Sequence, residues 1–192
     1  WNNNFTWAKW VTPSRDLISA FKQEGDEVRF KESIVYYDCN WSNYYPSDNY
    51  PFMYKCRSAN SSIIKYRYAD VLLLKAEALI MQDTPDLEGA ADIIDEVRDR
   101  AKLGALPTSV RSNKNVLLNA LLKERRLELA FEGQRWFDLV RLDKVEEVMN
   151  AVYAKDSGRK AQIYTFDKNS YRLPIPQSVI DANDKIHQNP GY

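Results

Sequence analysis

Apolar residues recur at helical spacing through most of the chain after residue 63. A spacing of i, i+3, i+4, i+7 is typical of an amphipathic helix that packs on a core. The spacing occurs on both sides of a short connection near residues 83–86: first at Ala69, Leu72, Leu73, Ala76 and Leu79, then at Ala90, Ile94, Val97 and Ala101. Because the connection is short, the pattern predicts an antiparallel helical hairpin. Gly104 is expected to end the second helix as its C′ residue.

The same periodicity predicts further helices toward the carboxyl end. A long helix is predicted over residues 115–132, with leucines along one side. Gly133 interrupts the pattern, so a bend is expected there before helical residues 134–142. After residue 159 the pattern weakens. Two prolines predict an extended segment over 171–176, a short helix is predicted over 177–182, and we expect this tail to wrap the helices.

The first part of the chain predicts one helix and one strand. Thr12 followed by Pro13 is the pattern of an N-cap and a first helical residue, and the apolar stripe that follows ends before Gly25. Residues 28–37 are rich in β-branched and aromatic side chains, and Val28, Phe30, Ile34 and Tyr36 share one parity, as on one face of a strand. This alternation predicts a strand.

Residues 40–62 follow neither period and are rich in asparagine, serine and proline, so a long loop is predicted. Loops of this length are uncommon in compact domains and are usually functional. Six aromatic side chains argue against plain disorder, and we expect packing or a ligand to order the loop. The expected organisation is one compact, mostly α unit: an aromatic, loop-rich segment over 1–62, and a scaffold of helical hairpins with a wrapping tail over 63–192, with little β structure.

Charge and composition narrow the kind of ligand. The chain has 27 basic and 27 acidic side chains, a formal net charge of zero and a pI of about 6.8. This balance gives no electrostatic footprint for a nucleic acid or an anionic membrane. The longest apolar stretch, residues 71–81, contains Lys75 and Glu77 and is too short to span a bilayer. A neutral or weakly polar ligand is favoured.

The residue types that catalysis needs are scarce. His187 is the single histidine, with nothing nearby in sequence to orient it as a base. The spacing of Cys39 and Cys56 fits no structural zinc pattern, and free thiols are slightly favoured over a disulfide. The six glycines are too dispersed for a loop that binds phosphates. Carboxylate pairs are always available, so a glycosidase lacks positive support without being excluded. We expect no enzyme activity, no metal and no cofactor.

Residues 124–142 form the most highly charged segment. Opposite charges lie three residues apart in it, as in Arg125 with Glu128, Glu132 with Arg135, and Asp138 with Arg141. The arginines could form an anion or partner site. A structural role is favoured instead, because arginines that bridge carboxylates on adjacent helices hold the packing together.

Aromatic side chains near polar ones are the better candidates for a binding site. Tryptophan and tyrosine offer rigid, flat, amphipathic surfaces, and sugars have matching apolar faces rimmed by hydroxyl groups. The alternative is that these rings only pack the loop onto the helices, whereas single-stranded nucleic acid would also require a basic groove. The residues predicted to form a stacking platform for a neutral glycan are Trp7, Trp10, Trp41, Asn43, Tyr44 and Tyr45.

Five ordered segments resemble the carboxyl-terminal region of the SusD/RagB family. They are RYADVLLLKAEALI (67–80), IIDEVRDRAKL (93–103), LLKERRLELAFEGQRWFDLVRL (121–142), LPIPQSVI (173–180) and HQNPGY (187–192), and WVTPSRDLISAF (10–21) with GDEVRF (25–30) extends the resemblance. The resemblance implies a mostly helical, tetratricopeptide-like outer-membrane lipoprotein of Bacteroidetes. Such a protein captures nutrients, typically glycans, at the cell surface for a TonB-dependent transporter and is not an enzyme.

The family's lipidated cysteine and amino-terminal helical region are expected to lie outside these 192 residues, so neither Cys39 nor Cys56 is expected to be a lipid anchor. The ligand site could be shared with that region. Three hypotheses follow, in order: a glycan-binding protein, a helical adaptor or lid for the transporter that binds a peptide or no ligand, and a glycan hydrolase.

Overall fold

The computed structural model describes residues 11–55, 64–155 and 166–192. The chain divides into two compact units, Trp1–Arg135 and Trp136–Tyr192. In the described residues helices predominate and β structure is limited to one small sheet, so the prediction of a mostly α fold is confirmed. Among the described residues, none of the helices is both long and apolar enough to cross a bilayer.

The first helix, α1 (Arg15–Glu24), begins two residues later than Thr12 and Pro13 suggest. Its N-cap is Ser14, whose side chain accepts a hydrogen bond from the Leu17 amide. The Thr12 hydroxyl is directed elsewhere and donates to the Tyr50 hydroxyl at 3.4 Å. Gly25 ends the helix as predicted, with a φ of 69° that favours glycine.

The strand predicted over 28–37 is wrong in its first half. Residues Glu27–Ser33 form helix α2, and only Ile34–Tyr37 form strand β1. The buried Asp26 side chain caps α2 by accepting from the Arg29 amide at 3.1 Å. Val28, which the alternation placed on the strand's apolar face, is 44% exposed.

A second strand, β2 (Tyr50–Met53), lies within the segment predicted to be loop, so that prediction is wrong for these residues. It pairs antiparallel with β1, with Ile34 opposite Met53 and Tyr37 opposite Tyr50. Pro51 argues against a strand when the sequence is read alone. It is tolerated here because a two-stranded sheet consists only of edge strands. Residues 38–49 connect the strands, and residues 56–62 of the predicted loop lie outside the described residues.

The predicted helical hairpin is confirmed. Helices α3 (Tyr68–Met81) and α4 (Leu87–Arg100) pack on each other and on α6 (Lys114–Glu128). The short helix α5 (Thr108–Arg111) lies between α4 and α6 in the chain. Fully buried core residues come from all three long helices and include Leu73, Ala76, Ile80, Ala90, Ile94, Leu117 and Leu121.

Gly104 does not end α4 as its C′ residue, so that prediction is wrong. The helix already ends at Arg100, and Lys102 takes the left-handed conformation, with a φ of 61°. The amides of Lys102 and Leu103 donate to the carbonyl groups of Asp99 and Arg98, at 2.8 and 3.0 Å. These hydrogen bonds close the helix before Gly104 is reached.

The interruption predicted at Gly133 is confirmed, although α6 ends at Glu128 rather than residue 132. Phe131 and Gly133 have φ values of 67° and 80°, which helical residues do not adopt. Helix α7 (Arg135–Arg141) begins after this turn, rather than at residue 134.

The unit Trp136–Tyr192 contains α8 (Val145–Lys155), a 3₁₀ turn (Lys168–Tyr171) and α9 (Gln177–Asp181). Trp136 lies edge-on to Phe166 and Tyr171, with ring centroids 5.9 and 6.2 Å apart. The side chain of Gln188 accepts from the Ile175 amide at 2.8 Å and donates to its carbonyl oxygen at 2.9 Å. The short helix after Pro176 is confirmed, whereas the wrapping of the tail stays a prediction.

Candidate functional site

The base of the candidate site is the buried strand β2. Tyr50 and Phe52 are each only 2% exposed, and their ring centroids lie 5.0 Å apart. Cys39 is a buried free thiol beside them, as the sequence favours. Rings packed in this way form a rigid apolar floor.

Trp41 packs on this floor. Its ring centroid is 5.8 Å from that of Tyr50 and 6.0 Å from that of Phe52, yet the residue is 55% exposed. A large apolar side chain that is held on buried rings and still faces solvent offers a fixed flat surface to a ligand.

Tyr44 and Tyr45 form the adjoining part of the cluster and are both half-buried. Their rings meet edge to face, with centroids 4.9 Å apart, and the Tyr45 ring lies 5.5 Å from Tyr50. The Tyr45 hydroxyl donates to the Pro13 carbonyl at 3.0 Å. We call Trp41, Tyr44, Tyr45, Tyr50 and Phe52 the aromatic cluster, and Tyr50 is its centre.

Polar groups surround the aromatic cluster. Asn43 is exposed, and the hydroxyl groups of Ser42 and Tyr50 are hydrogen-bonded at 2.9 Å. The Cys39 amide donates to the Ser47 carbonyl at 2.7 Å, and this hydrogen bond joins the two ends of the loop. Burial raises the pKa of the nearby Tyr37 hydroxyl, with a smaller contribution from Tyr54, so this phenol is neutral at physiological pH.

The structure therefore brings Trp41, Tyr44 and Tyr45 into one cluster and places Asn43 in the same loop, whereas Trp7 and Trp10 lie outside the described residues. Tyr50 and Phe52, which were not among the predicted site residues, are buried. The sequence reasoning missed both as the base of the cluster, although their alternation around Pro51 is the signal of a strand.

The sequence reasoning also missed Arg15. Its guanidinium carbon lies 4.0 Å from the Tyr44 ring centroid and 5.0 Å from the Tyr45 ring centroid. One of its terminal nitrogens donates to the Tyr44 carbonyl oxygen. No local pattern connects a residue at the start of α1 to a loop that follows β1, so this contact could only be found in the folded chain.

The most highly charged segment holds helices together, as the sequence favours. Buried Arg125 on α6 pairs with Asp70 on α3, with nitrogen and oxygen 2.8 Å apart. The buried Glu128 carboxylate accepts hydrogen bonds from Arg29 at 3.0 Å and from Arg67 and Arg100 at 2.6 Å. Arginines thus bridge carboxylates across elements, as predicted.

Burial alone would raise the pKa of Glu128, but hydrogen bonds from Arg67 and Arg29 and the charge of Arg100 outweigh burial and lower it. The pKa of Glu132 is lowered in the same way, against burial, by Arg67 and Lys55. For Glu124, burial prevails over Arg29 and raises the pKa. We call the group formed by Arg29, Arg67, Arg100, Glu124, Glu128 and Glu132 the Glu128 network.

Within residues 11–55, 64–155 and 166–192, no group of three or more histidine, cysteine, aspartate or glutamate side chains is arranged to hold a metal ion. The described part of the site therefore consists of aromatic rings, hydroxyl and amide groups and one guanidinium. Its chemistry suits stacking and hydrogen bonding.

A helical-hairpin scaffold that carries an aromatic cluster on a small sheet defines a mostly helical protein with a candidate binding surface. The SusD family model matches residues 47–192, and the chain belongs to this family. SusD-like protein P2 from Formosa agariphila is 36% identical to it over 143 residues, which cover 71% of this chain and 27% of that protein.

Solved structures have the same fold. A SusD superfamily protein from Bacteroides vulgatus superposes with a TM-score of 0.69 at 22% identity, over 94% of this chain and 44% of that one. A laminarin-binding SusD-like protein superposes with a TM-score of 0.59 at 28% identity, over 95% of this chain and 40% of that one. The chain thus spans less than a third of the relative and less than half of either structure.

Proposed function

We propose that this chain forms part of a non-catalytic cell-surface protein that binds a neutral oligosaccharide. The observation that carries the proposal is the position of Trp41, which is 55% exposed and rests on the buried rings of Tyr50 and Phe52. Such a ring can stack on the apolar face of a sugar without having to be ordered first, so little conformational entropy is lost on binding.

The groups around the ring suit the other surfaces of a sugar. Asn43 is exposed and has both a donor and an acceptor, as hydroxyl groups require. Ser42 and Tyr50 hold each other through their hydroxyl groups, which keeps the floor of the cluster in place. The zero formal charge of the chain agrees with an uncharged ligand.

The family relationship supports the same function. One solved relative is described as a laminarin-binding SusD-like protein, and another neighbour is described as a surface glycan-binding protein from Bacteroides uniformis. We also propose that the protein is anchored by a lipid at the outer membrane and delivers its glycan to a TonB-dependent transporter. These two properties rest only on membership of the SusD family.

The first test is calorimetric titration of the chain with laminarin and a panel of neutral and uronate-containing oligosaccharides. We expect saturable binding of a neutral glycan. Trp41→Ala should weaken it by roughly 5- to 150-fold, because stacking on one aromatic side chain contributes roughly 1–3 kcal/mol. Phe137→Ala is the matched control, since Phe137 is a 65% exposed aromatic residue in the other unit.

The alternatives give different results. An adaptor or lid for the transporter would bind none of the glycans, or a peptide in their place, and Trp41→Ala would change nothing. A hydrolase would release new reducing ends during the titration, and the loss of these ends on replacement of a carboxylate pair would identify the catalytic residues. Equal loss of affinity in Trp41→Ala and Phe137→Ala would contradict the proposed site.

A further inference from the structure

Arg15 occupies an unusual place for a cation. It is the first residue of α1, where the helix dipole disfavours positive charge, and the neighbouring Asp16 provides the acidic residue that this position favours. Asp16 is itself paired with Arg126 on α6 at 2.6 Å. The charge of Arg15 therefore does not stabilise α1. We look for the role of this arginine in the groups that its side chain contacts.

The side chain of Arg15 contacts the aromatic cluster in two ways. The guanidinium lies over the Tyr44 ring at 4.0 Å and the Tyr45 ring at 5.0 Å, both within the range of cation–π attraction. It also donates a hydrogen bond to the Tyr44 carbonyl oxygen. A planar cation with several donors can stack on rings and hold a backbone oxygen at the same time, and lysine cannot do both.

The residues just before Arg15 fasten the same loop. The Pro13 carbonyl accepts from the Tyr45 hydroxyl at 3.0 Å, and the Thr12 hydroxyl donates to the Tyr50 hydroxyl. The start of α1 therefore contacts the cluster at three points, and Arg15 is the one that holds both rings and backbone. The loop runs from residue 38 to 49 without regular structure, so its conformation depends on side-chain and backbone contacts such as these.

We propose that Arg15 is a positioning residue that orders the Tyr44–Tyr45 segment, and that it thereby raises glycan affinity without contacting the glycan. This second part rests on the proposed function. A loop that is ordered before binding loses less conformational entropy on binding than one that is ordered by its ligand. The effect on affinity should therefore accompany an effect on the free protein.

The test compares Arg15→Ala, Arg15→Lys and the wild-type chain by hydrogen exchange, without ligand, and by calorimetric titration with laminarin. We expect amides of residues 40–47 to exchange about tenfold faster in Arg15→Ala, and affinity to fall by about the same factor, because the ordering cost then falls on the ligand. Arg15→Lys should give intermediate values, because it keeps the charge and loses the planar group.

Two controls separate this effect from general destabilisation. Lys22→Ala removes another cation of α1, an exposed one in the last turn, and should change neither measurement. Amides around Leu73 in the α3 core report on unfolding of the scaffold and should exchange at the wild-type rate in all three variants. Faster exchange there as well would overturn the assignment of a local role.

The remaining outcomes are also decisive. Unchanged exchange over 40–47 in Arg15→Ala overturns the proposal whether or not affinity changes, and reduced affinity with unchanged exchange would mean that Arg15 contacts the glycan directly. Faster exchange with unchanged affinity, where Trp41→Ala does lose binding, refutes the link to binding. If the wild-type chain binds no glycan, the proposed function fails, and hydrogen exchange alone still decides whether Arg15 orders the loop.

Discussion

At the scale of single residues, Glu128 shows how a buried charge can be retained in this fold. Its carboxylate is 2% exposed and accepts from Arg29, Arg67 and Arg100, which come from three different parts of the chain. Its backbone carbonyl also accepts from Arg67 and from Lys55, both at 2.6 Å. A carboxylate with so many donors needs no water to remain ionised.

Removal of that charge should therefore be costly. We expect Glu128→Gln to lower the free energy of unfolding by about 3–5 kcal/mol, because buried Arg29 loses one of its partners while its own charge remains buried. Urea denaturation measures this change. Glu27→Gln is the control, since the exposed pair of Glu27 with Lys31 should contribute less than about 1 kcal/mol. Equal effects of the two substitutions would contradict a structural role for the network.

At the scale of elements, helix α3 has one buried face and one exposed apolar face. Leu73, Ala76 and Ile80 are fully buried in the core, whereas Val71, Leu74 and Met81 are exposed. The contrast between adjacent leucines separates burial from helix propensity, because the two have the same side chain in the same turn of the same helix.

Leu73→Ala should lower the free energy of unfolding by about 2–5 kcal/mol, because it leaves a cavity in the core. Leu74→Ala, at a residue that is 37% exposed, should cost about 1 kcal/mol or less. Thermal or urea denaturation of the two variants compares the costs directly. A larger loss for Leu74→Ala would mean that the outer face of α3 is packed rather than open.

The elements also show what could be predicted from sequence. The α3–α4 hairpin followed from apolar spacing alone, because burial of one face is what that spacing records. Helix α2 was missed because its stability comes from the Asp26 cap and from the ion pairs of Arg29 with Glu124 and Glu128, nearly a hundred residues away. No local period contains such contacts.

The candidate site divides in the same way. Trp41, Asn43, Tyr44 and Tyr45 could be named from the sequence as candidate binding residues, because a long loop rich in aromatic rings and amide groups is often a binding loop. Tyr50 and Phe52 could be identified only once the strand that contains Pro51 was known. Arg15 could be identified only from the packing of the start of α1 against the loop. The sequence therefore indicates which side chains a ligand could meet, and the fold adds the groups that hold them.

At the scale of the whole molecule, the Glu128 network links much of the unit Trp1–Arg135. Glu124 and Glu128 lie on α6, Arg29 lies on α2, and Arg100 is the last residue of α4. Arg67, at the N-cap of α3, bridges Glu128 and Glu132. Because these elements share charged partners, the protonation of a few glutamates should affect the stability of the unit as a whole.

The sign of that effect follows from the pKa directions. The pKa values of Glu24, Glu128 and Glu132 are lowered from 4.5 in the folded chain, in each case because arginine or lysine partners outweigh burial. Their contribution to stability is complete above the unfolded-state pKa and is lost as pH falls through the lower folded-state values. Glu124, whose pKa is raised by burial, acts in the opposite direction and offsets part of the loss.

Three lowered pKa values against one raised value predict that the free energy of unfolding falls as the solution is acidified below about pH 4.5. Urea denaturation at a series of pH values measures the slope. Glu132→Gln removes one of the three groups, so its slope in this range should be shallower than that of the wild-type chain, while its stability at neutral pH is lower because Lys55 and Arg67 lose a partner. Parallel wild-type and Glu132→Gln profiles would show that Glu132 does not contribute to the acid sensitivity.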